Sequence, residues 1–377
     1  MKKVCYIATI PAVVNSFLRS HIDAASTKYD VTIICNSADA YLLDNIKARI
    51  ILLPIERKIS VKQDWLILIK LIRLFRSEKF DLIHSIMPKT GLLSMLAAWL
   101  TRIPNRVHIF TGQVWATKKG WKREVFKIFD KLIALLATHV LLDSPSQRDF
   151  MVSENVLNKN TGIVIEYGSI CGIDVNQFHP DKKAFHQVRL DLDIKEEQIV
   201  ILFLGRLNRD KGMLDLAYAF LTLANIYPDL ILVLVGSEED VSFAHLQEMC
   251  SAVKDRIRYV KHTSTPESYM QAADIFCLPS YREGFGQVII EAAACGIPTV
   301  ASRIYGITDA VVDKETGLLF TAGDVSELKV SLSTLIENTS LRQQMGNAAQ
   351  QRVLEVFQSH KITAGMMALY EQLLSNH

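Results

Sequence analysis

The sequence predicts two doubly wound α/β domains, and three observations carry that prediction. Its 377 residues are more than one hydrophobic core ordinarily supports. Short apolar runs recur between longer amphipathic segments along the whole chain. Runs such as Ile199–Leu204 do not alternate with polar residues, so both strand faces must be covered, which calls for parallel sheets with helices on each side.

The first strand is read at KVCYIAT, residues 3–9. Two lysines before an apolar stretch imitate a secretion signal, but Pro11 interrupts the stretch and no A-x-A site follows. DVTIIC (30–35), ARIILL (48–53), DLIHSI (81–86), RVHIFT (106–111), THVLLD (138–143) and GIVIE (162–166) complete the first sheet. The second sheet is read at IVILFLG (199–205), LILVLVG (230–236), IRYVK (257–261), DIFCLPS (274–280) and PTVAS (298–302). Between the two sets lies the polar stretch 172–198, which holds Pro180 and places the boundary near residue 185. The expected domains are 1–185 and 186–359. Residues 361–375 have helical periodicity with no strand after them, so a terminal helix over 360–377 is expected to pack on the first domain. WLILIKLIRLF is broken by Lys70 and Arg73, and no apolar run approaches the roughly 18 residues a membrane span needs.

Composition is that of an ordinary globular protein. The six cysteines form no CxxC and several fall in strand-like runs, so they read as reduced packing residues. The net charge of +2 hides an asymmetry: residues 1–181 carry 24 Lys and Arg against 16 Asp and Glu, and the remainder 18 against 24. A basic half and an acidic half meet different partners. No nucleic-acid partner is expected.

Ligands of open parallel sheets bind beyond the carboxyl ends of the strands, and two such sheets facing each other would form a cleft between domains. Two stretches at strand ends stand out. In YREGFGQVIIEAAACG (281–296), Glu283 precedes a Gly-Phe-Gly turn and Glu291 lies eight residues later inside an apolar run. Gly284 and Gly286 permit close backbone approach, and the following helix start binds anions. A carboxylate at Glu291 is costly unless hydroxyls or a cation satisfy it. The plainer alternative is that Glu283 complements the helix dipole and Glu291 pairs with an arginine. In FLGRLNRDKGMLDL (203–216), Arg206 and Lys211 follow Gly205 at a strand end, two cations beside a helix start, which suits a diphosphate. A solvated basic loop is the competing reading. Neither a P-loop nor a GxGxxG fingerprint occurs.

These motifs, with TGLLF at 316–320 and GSICGIDVNQFHP at 168–180, resemble family 4 of the retaining glycosyltransferases, enzymes of the GT-B fold. The resemblance covers most of residues 160–320 motif by motif. It implies that Arg206 and Lys211 hold the diphosphate of a nucleotide-sugar, with UDP expected. It gives Glu283 the donor-sugar hydroxyls, the backbone at Gly205 and at Gly284, Phe285 and Gly286 the sugar and phosphate, and Glu291 the ribose. Arg206, Lys211 and Glu283 would then be catalytic. No cofactor and no metal are expected; Asp191-x-Asp193 imitates a metal motif but lies in the linker.

The first domain departs from the family pattern. Its first loop, TIPAVVNSF, lacks glycine, leaving Asn15 and Ser16 as polar groups there. Thr111, beside Gly112, stands where many members have a histidine, and Ile86 replaces another. Thr111 cannot act as a base near neutral pH. His84 and His108 fall in strands and are read as core or rim residues.

Two segments, 57–79 and 115–136, are basic and apolar together, with Trp65, Trp115 and Trp121 as membrane anchors. Sheet-covering helices with snorkelling lysines are the alternative. An anionic membrane surface and a lipid-linked saccharide acceptor are expected, with Thr111, Gly112, Trp115 and Lys118 on the acceptor side and the protein peripheral on the inner face of the cell membrane. The resemblance is strongest to bacterial surface-polysaccharide transferases. The competing functions are a non-hydrolysing UDP-sugar 2-epimerase and a catalytically inactive nucleotide-sugar-binding protein.

Overall fold

The computed structural model describes residues 1–38, 43–56 and 60–375. Arg57 and Lys58, at the start of the first basic segment, lie outside the described residues, as do the last two residues of the expected terminal helix. The chain divides into two compact units, residues 1–172 with 359–377, and residues 173–358.

In the first unit, seven parallel strands among the described residues run in the order β3-β2-β1-β4-β5-β6-β7. They are β1 (Lys3–Ile7), β2 (Asp30–Cys35), β3 (Arg49–Leu52), β4 (Leu82–Ile86), β5 (Asn105–Phe110), β6 (His139–Leu142) and β7 (Ile163–Val164). The second sheet has the order β10-β9-β8-β11-β12-β13. Its strands are β8 (Ile199–Leu204), β9 (Leu230–Val235), β10 (Ile257–Val260), β11 (Ile275–Leu278), β12 (Thr299–Ser302) and β13 (Gly317–Phe320). Ile201, Leu202 and Phe203 are fully buried, as a strand covered on both faces requires. The sheet orders reverse between β1 and β4 and between β8 and β11, and such reversals are where doubly wound sheets bind ligands.

The helices that position the sites are α1 (Val61–Glu78), α2 (Pro88–Leu100), α3 (Gly120–Leu136), α4 (Met213–Ile226), α5 (Gln287–Ala294) and α6 (Ser359–Ser375). The terminal helix α6 belongs to the first unit. It buries Met366, Tyr370 and Leu374 in that unit's core, and the Tyr370 hydroxyl hydrogen-bonds Nδ1 of His84.

The boundary differs from the expected position near 185. It falls after Gly172, because Ile173 and Phe178 pack into the second unit's core. Arg189, buried in the same polar stretch, donates to the Ala272 carbonyl at 3.1 Å and to Asp274 at 2.7 Å. The polar composition belongs to a packed, hydrogen-bonded segment of the second unit.

Candidate functional site

The site grows from the β8–β11 reversal. Leaving β8, the chain passes Gly205 and Arg206. Asn208 then accepts from the Lys211 N–H at 2.9 Å, capping a short turn, Arg209–Lys211. Gly212 follows with φ 72°. A Cβ there would lie 2.0 Å from the carbonyl oxygen of Pro279, so only glycine lets this loop lie against the end of β11. The loops are held together by the Tyr281 N–H, which donates to the Asp210 carbonyl at 2.8 Å, by Tyr281 Oη, which donates to Asp215 at 2.6 Å, and by Arg282 Nη2, which lies 3.2 Å from Asp210.

This packing brings Lys211 and Glu283 together, although they are 72 residues apart. Lys211 Nζ lies 2.5 Å from Glu283 Oε1, and Ser280 Oγ donates to the same oxygen at 2.8 Å. Beside them Arg206 Nη1 lies 2.6 Å from both oxygens of Glu239, which also accepts from Asn208 Nδ2 at 2.6 Å. Sequence reasoning missed Glu239 and Ser280. The signal for Glu239 was the acidic run EED (238–240), one residue beyond the glycine that follows β9, at the same carboxyl edge as the basic loop.

Gly286, with φ 80°, opens α5, whose N-terminus carries no side-chain cap. An uncapped start of this kind offers backbone N–H groups to an anion. Phe285 turns its ring into the core, edge-on to Phe357 at 5.3 Å, so its backbone alone can face a ligand. Glu291 is half-buried on α5 between buried Ile290 and Ala292. Burial pushes its carboxyl up to about 7, with the nearby Glu267 charge adding to the rise. Among the described residues no cation pairs with it, so the arginine partner of the plainer sequence reading is not there.

In the first unit, Thr111 is half-buried and Gly112 buried, just past β5. Asn15 accepts from Arg19 Nη1 at 2.6 Å. His108 hydrogen-bonds Ser85 at 2.8 Å, and burial lowers both His84 and His108 to about 3, so each is a neutral core residue. Trp115 requires a correction. It is 1% exposed, donates its indole N–H to Asp130 at 2.7 Å and stacks on Phe150, so it is neither a membrane anchor nor an exposed sugar platform. Its apolar ring satisfied the amphipathic pattern by facing inward. Trp65 and Trp121 are 62% and 72% exposed. Lys118 Nζ sits 5.7 Å over the Phe126 ring. No helix among the described residues is long and apolar enough to cross a membrane.

Residues 185–352 match the family described as "Glycosyl transferases group 1", and residues 23–168 match "Glycosyl transferase 4-like domain". The chain is 29% identical over 376 residues to a "Capsular polysaccharide biosynthesis glycosyltransferase CapM" of Staphylococcus aureus, covering 99% of this chain and 98% of that one. It is 26% identical to an Escherichia coli "UDP-Gal:alpha-D-GlcNAc-diphosphoundecaprenol alpha-1,3-galactosyltransferase", covering 93% and 90%. Its fold matches that of a sucrose-phosphate synthase from Thermosynechococcus elongatus with a TM-score of 0.81 at 24% identity, over the full length of both chains.

Proposed function

We propose, from the premise that this chain belongs to the GT-B glycosyltransferases through its glycosyl transferases group 1 and 4-like domains, that it moves a hexose or N-acetylhexosamine from a UDP-sugar to a lipid-linked saccharide in surface-polysaccharide assembly. The observation that carries the donor half is the Lys211–Glu283–Ser280 cluster at the β8–β11 reversal. Lys211 and Arg206 meet the donor diphosphate and Glu283 the sugar hydroxyls. The charge Lys211 now shares with Glu283, and Arg206 with Glu239, turns toward phosphate when the donor arrives. The uncapped start of α5 adds N–H groups, and Glu291 takes the ribose hydroxyls.

In the reaction the bond from the sugar's anomeric carbon to the diphosphate oxygen breaks, and a bond to an acceptor hydroxyl forms on the same face. The acceptor proton passes to the departing phosphate oxygen. Negative charge grows on the diphosphate as the bond breaks, and preorganised cations and helix N–H groups there act where the transition state needs them. No metal is assigned to this step. Epimerisation of a UDP-sugar needs acid–base groups at the sugar, and His84 and His108 of the first unit are neutral and buried.

The acceptor half rests on the basic first unit and on relatives such as the E. coli galactosyltransferase, whose name includes a diphosphoundecaprenol acceptor. Helix α3 exposes Trp121, Val125, Ile128, Leu132 and Leu135 on one stripe, with exposed Lys122 and Lys131 on the same helix and exposed Lys119 just before it. A surface of this kind suits an anionic membrane face, with the protein peripheral on its cytoplasmic side. A UDP-sugar panel incubated with and without a polyprenyl-diphosphate-linked saccharide tests the reading. UDP release that requires acceptor supports it; epimer formed without acceptor, or binding without turnover, refutes it.

A further inference from the structure

The first unit has a cavity of about 630 Å³ at the reversal of its own sheet. Thr9 follows β1, and Met87 and Pro88 follow β4, so the cavity sits over the β1–β4 boundary, the position at which a doubly wound sheet takes a ligand. Helix α1 supplies Leu68, α2 supplies Leu92, and α3 supplies Phe126 and Phe129 to its walls.

The wall chemistry excludes a sugar. Most of the lining is hydrocarbon or aromatic, and each polar side chain in it already has a partner inside the protein. Lys89 Nζ lies 2.6 Å from Asp64, and the Thr9 and Thr90 hydroxyls are 3.4 Å apart. Asp130 holds the Trp115 indole N–H, and burial pushes its carboxyl up to about 7. A saccharide bound there would leave its own hydroxyls without partners, at a cost that apolar walls do not offset.

The edge of the cavity differs from its interior. Val61 and Trp65, among its lining residues, are exposed and mark where it meets solvent. Lys118 stands over the ring of Phe126, one of the walls, and Lys119 and Lys122 follow on the surface. Hydrocarbon inside and cations at the edge complement an amphiphile with an anionic head.

We propose that this cavity holds the head-proximal isoprene units of the acceptor's polyprenyl chain, with the linking diphosphate at Lys118. The inference rests on the acceptor being lipid-linked, as argued above, and gives that acceptor a binding site at the sheet reversal of the first unit. It separates two roles: the exposed stripe of α3 meets the bilayer, while the cavity takes one chain out of it.

Labelling tests this without any sugar transfer. The full chain is irradiated with a benzophenone analogue of farnesyl diphosphate, and the labelled peptides are mapped. Label is expected in α1, α2 and α3, the helices that line the cavity, displaced by farnesyl diphosphate and not by inorganic diphosphate or dihexanoyl phosphatidylglycerol. Label elsewhere, or equal displacement by the phospholipid, overturns the proposal. A second reading compares one saccharide carried on farnesyl or on methyl diphosphate. The kcat/KM ratio should favour farnesyl by about tenfold or more, since each methylene withdrawn from water adds affinity. Leu92→Trp, which fills the cavity, should collapse that ratio toward one. If that variant does not fold, Trp65→Ala at the exposed rim reads the same ratio. A ratio near one in the unsubstituted protein, or one unchanged by substitution, overturns the proposal. Transfer to neither acceptor would refute the proposed function, and the labelling pattern would still decide the prenyl site.

Discussion

Donor binding should release a proton near neutrality, and Glu291 is the reason. Its carboxyl stands at about 7 in the folded chain against an ordinary value of 4.5, because burial among apolar residues disfavours its charge. The folded state therefore keeps this proton between those values, and stability falls as pH rises from about 4.5 to about 7. The full loss is roughly 3 kcal/mol at 1.36 kcal/mol per pH unit. Ribose hydroxyls donating to the carboxylate favour the charged form and offset that cost. Binding then selects the ionised carboxyl, which is about one-tenth populated at pH 6 and nine-tenths at pH 8, so UDP-sugar affinity should rise about tenfold across that range. Calorimetry in two buffers of different ionisation enthalpy, with a UDP-sugar whose phosphodiesters do not titrate in this window, reads both affinity and proton release. Glu291→Gln should abolish the pH dependence and weaken binding at pH 8 by roughly 1.5–3 kcal/mol, as loss of hydrogen bonds to a charged group does. A pH-independent affinity in the unsubstituted protein, or the same slope in the glutamine variant, would refute the reasoning.

Glu283→Gln should lower turnover with saturating UDP-sugar by about ten- to a hundredfold while donor affinity changes less; undiminished steady-state turnover contradicts its assignment. Glu239→Gln frees the Arg206 guanidinium from a half-exposed ion pair, and such pairs are worth about 0.2–1 kcal/mol, so UDP-sugar should bind up to roughly fivefold more tightly by calorimetry; weaker binding would mean that Glu239 itself orients Arg206 for the donor. Trp115→Phe leaves Asp130 without its indole partner and should cost about 1–3 kcal/mol in urea unfolding; an unchanged midpoint contradicts the buried pair. Replacing Lys118, Lys119 and Lys122 by Ser, and sparing Arg123 because it pairs with Glu154, should weaken sedimentation with anionic liposomes in a salt-dependent way, since charges are screened over about 8 Å at physiological ionic strength; sedimentation indifferent to lipid charge would remove the membrane reading.

The strands were legible where apolar runs were long and bounded by turns. β13 was not read as a strand, because Gly317–Phe320 is four residues long and carried more signal as part of a motif than as a run. The polar residues of 172–198 imitate a linker and draw the expected boundary toward 185, whereas Ile173, Phe178 and Arg189 anchor that segment in the second unit. In the donor half, Arg206, Lys211, Glu283 and Glu291 were all visible as charges at strand ends or within an apolar helix. What the sequence did not reveal was their pairing: the contact of Lys211 with Glu283 depends on Gly212 lying against Pro279, a tertiary fit with no local pattern. Composition likewise could not separate Trp115 from Trp121. Both sit among lysines, but one faces Asp130 inside and the other faces solvent.

The central claim, that the cations and carboxylate at the β8–β11 reversal drive sugar transfer, is tested most directly by Lys211→Met in a single-turnover assay with bound UDP-sugar and a polyprenyl-diphosphate-linked saccharide. Leaving-group charge grows in the transition state, so the rate of the chemical step should fall by more than the donor affinity does, about a hundredfold or more against about tenfold. A donor affinity that falls while the single-turnover rate of the bound complex stays at its original value would reduce Lys211 to a binding residue and contradict the account.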